Sequence, residues 1–358
     1  MKIGIDISQI VYDTGVSAYT KELVKALVTL DVENKYLLFG GSARLMPVLN
    51  AFVDPFGGRV EKKFLPVPPT LSDLLFNILR FPPIETFIGQ VDVFHSSDWT
   101  QPKSNAKKVT TVHDLAPLKF PHETHQRIVA VHRRRLEIVR REVDLVIVPS
   151  DATRDDLIAY GVEEERIRVI PEAPTIVKGK STLNEIEAIK KKYKIDGQYL
   201  ITVGVGRRKN TERLIKAFEN IRAGKNLKLV LLGRNSLGYP EERGLRFTGH
   251  VSDQEFSALV SGAEVLVYPS LYEGFGLPIL EGFAAGVPVV TSNVSSLPQV
   301  AGESAIMVDP YEVSSISEGI KEALKNPKLL IQKGSKRLQD FSWEATAKMT
   351  LAVYNELC

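Results

Sequence analysis

The sequence EVLVYPSLYEGFGLPILEGFAAGVPVVTSN (264–293) contains two apolar runs, separated by a glycine-rich turn and a helical pattern. The runs at 264–270 and 288–293 lack polar alternation, which is typical of parallel strands buried on both faces. The intervening helix is expected to begin near Leu277. Pro278 suits its first turn, because a proline lacks the N–H that would be unpaired there. A strand, a helix and a second strand in this order predict a βαβ unit.

The alternation of apolar runs and helical patterns continues in both directions from this stretch. The runs predict strands at 2–7, 36–41, 91–97, 107–114, 145–150, 199–204, 228–233, 245–250, 264–270, 288–293 and 305–310. Between them, residues such as Tyr19, Leu23 and Leu27 recur on one face of a helix. Strands that alternate with helices on this scale predict an α/β architecture with parallel sheets.

The chain is expected to form two domains, because its 358 residues exceed what one typical core holds. The alternation weakens at 171–181, which carries two prolines and a glycine and is the best candidate for a linker. We therefore predict domains at 1–172 and 173–340, followed by an amphipathic helix at 341–358. Each domain is expected to be a doubly wound sheet. The two should face each other across a cleft, with ligands beyond the carboxyl ends of the strands.

The composition is that of an ordinary soluble globular protein, with 44% hydrophobic and 25% charged residues. A net charge of +3 is too small to indicate a nucleic-acid partner by itself. The single cysteine, Cys358, can form neither an internal disulfide nor a cysteine zinc site. We find no signal peptide and no apolar run long enough to span a bilayer. We therefore expect a cytoplasmic protein.

The glycine-rich turn has the features of an anion site. At the start of a helix, the N–H groups of Phe275, Gly276 and Leu277 would point outward, where the helix dipole favours negative charge. Glu273 and Glu281 would repel a phosphate, so we expect them to flank it and to accept hydrogen bonds from sugar hydroxyls. The alternative is a tight turn with two surface glutamates.

A second loop suited to phosphate follows the first strand of the second half. The sequence GVGRRKNTERLIKAF (204–218) begins with Gly204 and places Arg207, Arg208 and Lys209 before a helix. Arginine can bind a diphosphate through two parallel hydrogen bonds, and lysine binds it as a point charge. The loop lacks the third glycine of a dinucleotide fingerprint. The alternative is a solvated basic turn.

These motifs resemble those of the group 1 glycosyltransferases (family 4), which are retaining enzymes with the GT-B fold of two Rossmann-like domains. The family signature is a glutamate, seven residues and a second glutamate, as in Glu273-GFGLPIL-Glu281. The continuation GFAAGVPVVTSNVSSLPQVAGESAIMVDP (282–310) is similar to the family as well. It departs at Gln299, where the family usually has glutamate. The likeness covers nearly the whole chain and is strongest over 199–310.

The resemblance implies a role for each part of the chain. The first domain is implied to bind the acceptor and the second to bind the nucleotide sugar, with the last helix returning to the first domain. Glu273 is implied to lie near the hydroxyls of the donor sugar, and Glu281 to bind the ribose. The backbone of Phe275, Gly276 and Leu277 is implied to contact the sugar or the diphosphate.

The resemblance also predicts catalysis without a metal ion. Lys209 and, in preference to Arg207, Arg208 match the arginine–lysine element that neutralises the donor diphosphate in the family. Gly204 begins the same loop. A leaving diphosphate needs its growing charge offset, and the chain has neither an Asp-x-Asp motif nor histidines at metal-ligand spacing. We therefore expect no metal and no other cofactor.

The first domain contributes further candidates. TGVSAYTKEL (14–23) resembles the family's glycine-rich first loop, which implies that Gly15 contacts phosphate or acceptor. TTVHDLAP (110–117) resembles its His-Asp element, which implies that His113 binds the donor sugar. A lone histidine is otherwise more often structural. His95 is a weaker candidate.

The segment RIVAVHRRRLEIVRRE (127–142) holds six arginines and one histidine against two glutamates. It could lie on anionic lipid at the inner face of the membrane. We favour a packed helix with a solvated basic face, and the peripheral membrane contact stays open. Nucleic acid is not expected as a partner, because no aromatic residue is interleaved among the arginines.

These observations predict a retaining, metal-independent hexosyltransferase. GDP-mannose is the first choice of donor, because SLYEGFGLPILEGFAAGVPVV and the RKN turn look most like mannosyl-transferring relatives. The acceptor hydroxyl would belong to a glycan, a lipid-linked acceptor or a small molecule, as in polysaccharide biosynthesis. The alternatives are a UDP-sugar-dependent glucosyl- or N-acetylglucosaminyltransferase, a GT-B sugar-nucleotide epimerase, a glucan phosphorylase and a non-enzymatic binding module.

Overall fold

A computed structural model describes residues 1–12, 14–42, 44–175, 181–222, 226–236, 238–241 and 244–358. The chain divides into two compact units. The first comprises Met1–Glu172 and Ser342–Cys358, and the second comprises Ala173–Phe341. The linker predicted at 171–181 includes this boundary, and its residues 176–180 lie outside the described residues. The assignment of acceptor and donor to the two units stays a prediction.

Strands and helices alternate along both units. The strands are β1 (Lys2–Asp6), β2 (Lys35–Gly41), β3 (Val60–Leu65), β4 (Val93–Ser96), β5 (Lys107–Thr111), β6 (Leu145–Val148), β7 (Ile167–Val169), β8 (Gln198–Val203), β9 (Leu227–Leu232), β10 (Leu245–Phe247), β11 (Val265–Tyr268), β12 (Val289–Ser292) and β13 (Ile306–Val308). The α-helices are α1 (Gly15–Leu30), α2 (Met46–Val53), α3 (Pro69–Asp73), α4 (Glu85–Ile88), α5 (Ala116–Lys119), α6 (Gln126–Glu142), α7 (Asp151–Tyr160), α8 (Leu183–Lys192), α9 (Thr211–Arg222), α10 (Asp253–Ser261), α11 (Leu277–Ala285), α12 (Leu297–Ala301), α13 (Val313–Lys325), α14 (Pro327–Arg337) and α15 (Trp343–Glu356).

Each unit holds a parallel sheet built from the described strands. The strand order is β3-β2-β1-β4-β5-β6-β7 in the first sheet and β10-β9-β8-β11-β12-β13 in the second. In both sheets the chain forms an interior strand first and adds the next two strands towards one edge. It then returns to the other side of the first strand and adds the remaining strands towards the opposite edge. This is the doubly wound arrangement that the alternation of strands and helices predicts. The prediction of two Rossmann-like parallel-sheet units is therefore confirmed.

Two strands of the first sheet, β3 and β7, were not predicted from the sequence, and both lie at its edges. Three successive residues of β3, in VEKKFL, are exposed, and β7 has only three residues. Edge strands pair on one side alone and often carry charged side chains. They therefore lack the apolar run by which the interior strands were predicted.

Burial follows the apolar pattern in the rest of the chain. Every residue of β11 and of β12 is buried, as expected for strands covered on both faces. Helix α15 packs against α1 in the first unit. There Tyr354 is fully buried, and its hydroxyl lies 2.7 Å from Nδ1 of His95.

Each sheet has a point where the order of strands changes direction, between β1 and β4 in the first and between β8 and β11 in the second. The loops after such a pair lead to opposite faces of the sheet and leave a crevice at the carboxyl ends of the strands. In the second unit, the loop after β8 holds the cations predicted to bind diphosphate, and the loop after β11 holds the glycine-rich turn. The topology therefore brings these two distant motifs together.

Candidate active site

The loop after β8 turns back on itself at Gly204 and Asn210, whose φ angles are +85° and +58°. A Cβ atom on Gly204 would lie 3.0 Å from Cε of Lys209, so the glycine lets the lysine side chain fold over the loop. The amide of Asn210 donates to the carbonyl oxygens of Pro269, at 3.0 Å, and Pro310, at 2.6 Å. These bonds anchor the cationic loop to the segments that follow β11 and β13.

Glu273 accepts a charge-assisted hydrogen bond on each carboxylate oxygen. Nη1 of Arg208 donates to Oε2 at 2.8 Å, and Nζ of Lys209 donates to Oε1 at 2.6 Å. Burial alone would raise the pKa of Glu273, but Lys209 and Arg208 outweigh burial and hold this pKa below its ordinary value. The carboxylate is therefore ionised at neutral pH. Two cations against one carboxylate leave the cluster positively charged, which suits an anionic ligand.

Tyr268, the last residue of β11, also contacts Lys209. The ammonium donates to the Tyr268 hydroxyl at 2.6 Å and lies 4.8 Å from the centre of the ring. Burial, with a further contribution from Glu273, raises the pKa of Tyr268 well above its ordinary value. The phenol therefore stays protonated at neutral pH. Sequence reasoning missed Tyr268. Its position was a usable signal for a site residue, because a polar group ends a strand where the order of strands changes direction.

The turn after β11 is shaped by Gly276, whose φ angle is +110° and which precedes α11 directly. A Cβ atom there would lie 2.7 Å from Cδ2 of Leu297, so no larger residue fits without displacement. The hydroxyl of Ser296 donates to the carbonyl oxygens of Glu273, at 2.9 Å, and Phe275, at 2.7 Å. The turn is thus fixed by a serine that the sequence analysis did not single out.

Glu281 lies within α11, and its side chain is buried. The hydroxyl of Thr175 donates to Oε1 of Glu281 at 3.2 Å. The structure thus places both glutamates of the signature on the turn and helix after β11, and it brings Arg208 and Lys209 to the first of them. Arg207 is exposed and is not among the side chains that contact Glu273.

In the first unit, His113 follows β5 and pairs with Glu172. Its Nδ1 lies 2.9 Å from Oε1 of Glu172, and its ring packs edge-on against Tyr19 with 4.6 Å between the ring centroids. Burial would lower the pKa of His113, but the hydrogen bond and charge of Glu172 raise this pKa above its ordinary value. Sequence reasoning missed Glu172 because it lies 59 positions away, in the predicted linker.

Gly15 and His95 have different surroundings. Gly15 begins α1, which is capped by the side chain of Thr14. Apart from its chain neighbours and the backbone of its own helix, no described atom lies within 4 Å of where its Cβ would be. His95 is buried between the hydroxyls of Tyr354, at 2.7 Å, and Thr111, at 3.0 Å. Burial lowers the pKa of His95 to about 3, so the ring is neutral. Its contacts are those of a structural histidine.

Helix α6 covers the segment predicted either to pack or to contact a membrane. Arg135 is 1% exposed and donates to the carbonyl oxygens of Ser97, at 3.1 Å, and Thr111, at 2.9 Å. The ion pairs of the helix include Arg134–Asp73, Arg140–Glu137 and Arg141–Glu137. None of the helices in the described ranges has both the length and the apolar character that crossing a bilayer requires. Contact with a membrane surface stays a prediction.

Where side chains are described, no three His, Cys, Asp or Glu residues are grouped to hold a metal ion. The expectation that diphosphate charge is offset by Arg208 and Lys209, without a metal, stays a prediction.

In comparisons with known proteins, each unit matches a family of glycosyltransferases. Residues 185–339 match the family of glycosyl transferases group 1, and residues 14–173 match Glycosyltransferase Family 4. O-antigen chain mannosyltransferase B from Escherichia coli is 28% identical over 96% of this chain and 96% of its own length. MMP alpha-(1->4)-mannosyltransferase from Mycolicibacterium hassiacum is 33% identical over 41% of this chain and 40% of its own length. Among solved structures, sucrose-phosphate synthase from Thermosynechococcus elongatus has a TM-score of 0.72 at 20% identity, over 100% of this chain and 99% of that chain.

Proposed function

This chain belongs to the group 1 glycosyltransferases of family 4, which have the GT-B fold, and we propose that it transfers mannose from GDP-mannose to a hydroxyl of a glycan acceptor. The proposal adds the donor, retention of configuration and independence of metal ions to the glycosyltransferase activity of the family. The observation that carries it is the cluster of Arg208, Lys209 and Glu273 at the crevice between β8 and β11. The choice of mannose is supported by relatives named as mannosyltransferases.

The cluster supplies positive charge where the diphosphate would leave. As the bond from the sugar C1 to the diphosphate oxygen breaks, negative charge grows on the diphosphate, and Arg208 and Lys209 offset it. The acceptor hydroxyl attacks C1 on the face that the diphosphate leaves, so the new C1–O bond keeps the anomeric configuration. The acceptor's proton passes to an oxygen of the departing diphosphate. No side chain is needed as a general base.

The remaining candidates bind and orient the donor. Glu281 accepts hydrogen bonds from the two ribose hydroxyls. The N–H groups at the start of α11, together with its dipole, bind the sugar or the diphosphate. His113 donates to a hydroxyl of the donor sugar, a role for which its raised pKa suits it. The open space beside Gly15 leaves room for phosphate or acceptor.

A thermal-shift panel tests the donor assignment. The protein is melted in EDTA with GDP, UDP, ADP and their common sugar conjugates. A ligand at about 100 times its dissociation constant adds about 2.7 kcal/mol to the free energy of unfolding. At about 2–4 °C per kcal/mol, the shift is readily measured. We expect selective stabilisation by GDP and GDP-mannose that is lost in Glu281→Ala.

The matched control is Glu318→Ala, which removes an exposed glutamate from helix α13 of the same unit. It should keep the full shift. A UDP-selective shift would replace mannose with glucose or N-acetylglucosamine as the proposed sugar. If no nucleotide shifts the melt at millimolar concentration, the assignment of 273–281 to the donor fails. A shift that appears only after a divalent cation is added would contradict metal independence.

A further inference from the structure

A row of large apolar side chains is exposed on the first unit after β3. Helix α3 continues through Leu74–Leu79 as a π-helical segment. Positions 71, 74 and 78 have the spacing of one helix face, and positions 79 and 81 follow. The row consists of Leu71, Leu74, Ile78, Leu79 and Phe81, which are 40%, 41%, 51%, 58% and 70% exposed. Contiguous exposed apolar side chains of this kind mark interaction surfaces more often than single ones do.

Helix α6 lies beside this apolar row and runs in the same direction. Arg134 of α6 pairs with Asp73 at the start of the row, and Glu142 at the end of α6 pairs with Arg80 near its end. Positions 134 and 142 are about two helical turns apart, and positions 73 and 80 are separated by a similar length of helix. The two ion pairs therefore fix the helices side by side.

The neighbourhood of the row carries excess positive charge. The segment 127–142 holds six arginines against two glutamates; of the arginines, Arg135 is buried and Arg134 is paired with Asp73. Arg127 and Arg133 are exposed, and the side chain of Arg141 is 65% exposed. Glu137 is paired with both Arg140 and Arg141, which leaves one positive charge among these three side chains.

We propose that the apolar row and the exposed arginines of α6 form a docking surface for an anionic lipid bilayer. The apolar side chains would enter the boundary between headgroups and acyl chains, and the arginines would contact acidic headgroups. A second copy of this chain fits less well. A two-fold contact would bring the two α6 helices, with their like charges, towards each other.

The surface also lies close to the carboxyl edge of the first sheet. Nε1 of Trp99, in the loop after β4, donates to the carbonyl oxygen of Pro69, at the start of α3. Ligands of doubly wound sheets bind at this edge. A bilayer docked on the apolar row would therefore present lipid-linked molecules near it. The docking proposal itself does not depend on the identity of the donor.

Vesicle flotation of the full chain tests the proposal. One set of vesicles contains phosphatidylglycerol and phosphatidylcholine in equal parts, and the other contains phosphatidylcholine alone. We expect binding to the anionic vesicles only, and a marked decrease at about 0.5 M salt because headgroup attraction is screened. Ile78→Ser/Leu79→Ser should reduce the bound fraction about tenfold or more, since apolar side chains are removed from the inserted face.

The matched control is Val32→Ser/Leu183→Ser, which removes two apolar side chains that are 90% and 80% exposed elsewhere on the chain. It should bind vesicles as the unmodified protein does. Arg127→Gln/Arg133→Gln should weaken binding to the anionic vesicles with the apolar row intact. Because all these side chains are exposed, the variants should melt like the unmodified protein.

Three outcomes would overturn the proposal. The first is no binding to anionic vesicles at low salt. The second is equal loss in Ile78→Ser/Leu79→Ser and in its matched control. The third is a dimer, seen by light scattering, that dissociates in Ile78→Ser/Leu79→Ser, because the row would then be a contact between copies of this chain.

Discussion

Glu273 shows how one buried side chain can link the recognition of two parts of a donor. Unpaired, a buried carboxylate is costly, and here Arg208 and Lys209 compensate it. In the proposed complex the diphosphate takes over these cations, so Glu273 needs new donors. The hydroxyls of the sugar can supply them. A nucleoside diphosphate without the sugar would leave the Glu273 carboxylate less well compensated than the full donor does. The sugar therefore contributes to donor binding through Glu273, a residue that does not touch the phosphates.

At the residue scale, we predict that Lys209→Met and Arg208→Gln each weaken GDP binding about 10- to 100-fold. Each variant removes a charged hydrogen-bond donor, which is worth about 1.5–3 kcal/mol. Arg207→Gln should cost less than about threefold, because an exposed charge in solvent contributes little. Isothermal titration with GDP at one salt concentration measures all three.

Lys216→Met is the matched control, since Lys216 is a surface lysine of α9 paired with Glu212. It should bind GDP like the unmodified protein. A larger loss in Arg207→Gln than in Arg208→Gln would show that the wrong arginine has been assigned to the diphosphate.

At the scale of elements, the sequence predicted what depends on local pattern and missed what depends on pairing across the sheet. Interior strands such as β11 were predictable because every residue is apolar and buried, whereas β3 and β7 were not. The glutamates of the turn were predictable from their spacing. The contact between Lys209 and Glu273 was not, because it requires β8 to lie beside β11, and β9 and β10 separate these strands in the chain.

The pair of His113 and Glu172 ties the end of β5 to the segment after β7, and we predict that this tie depends on pH. The folded-state pKa of His113 is raised. Its contribution to the free energy of unfolding is therefore fully present below the unfolded pKa of about 6.5, and it is lost as the pH rises through the folded pKa. His113→Gln should lower stability by about 1 kcal/mol at acidic pH and by less in alkaline buffer.

Melting temperatures of both proteins between about pH 5.5 and 9 measure this difference, a window that brackets the ordinary histidine pKa. His122→Gln, at an exposed histidine of the same unit, is the control for the loss of a histidine side chain as such. A His113→Gln difference that grows as the pH rises would have the wrong sign for a raised pKa.

At the scale of the whole molecule, the last helix of the chain packs into the hydrophobic core of the first unit. Tyr354 of helix α15 lies 259 positions after its hydrogen-bond partner His95. Tyr354 and Val353 are nevertheless buried in the same hydrophobic cluster as Leu23 and Leu27 of α1. The second unit has separate clusters built from its own strands and helices. Stability of the first unit should therefore depend on residues at the far end of the sequence.

We predict that Tyr354→Ala destabilises the first unit by about 3–5 kcal/mol, because it leaves a cavity in this core. It also removes the hydroxyl bonded to the buried His95. Tyr354→Phe keeps the ring and should cost about 1–3 kcal/mol, because it leaves only Nδ1 of His95 unpaired.

Hydrogen exchange measured by mass spectrometry checks this prediction. In Tyr354→Ala, exchange should accelerate in Met1–Glu172 and much less in Ala173–Phe341. Tyr311→Ala, at a tyrosine that is 55% exposed, should leave both units protected. If Tyr354→Ala accelerated exchange equally in both units, the first unit would not have the separate stability that its own core implies.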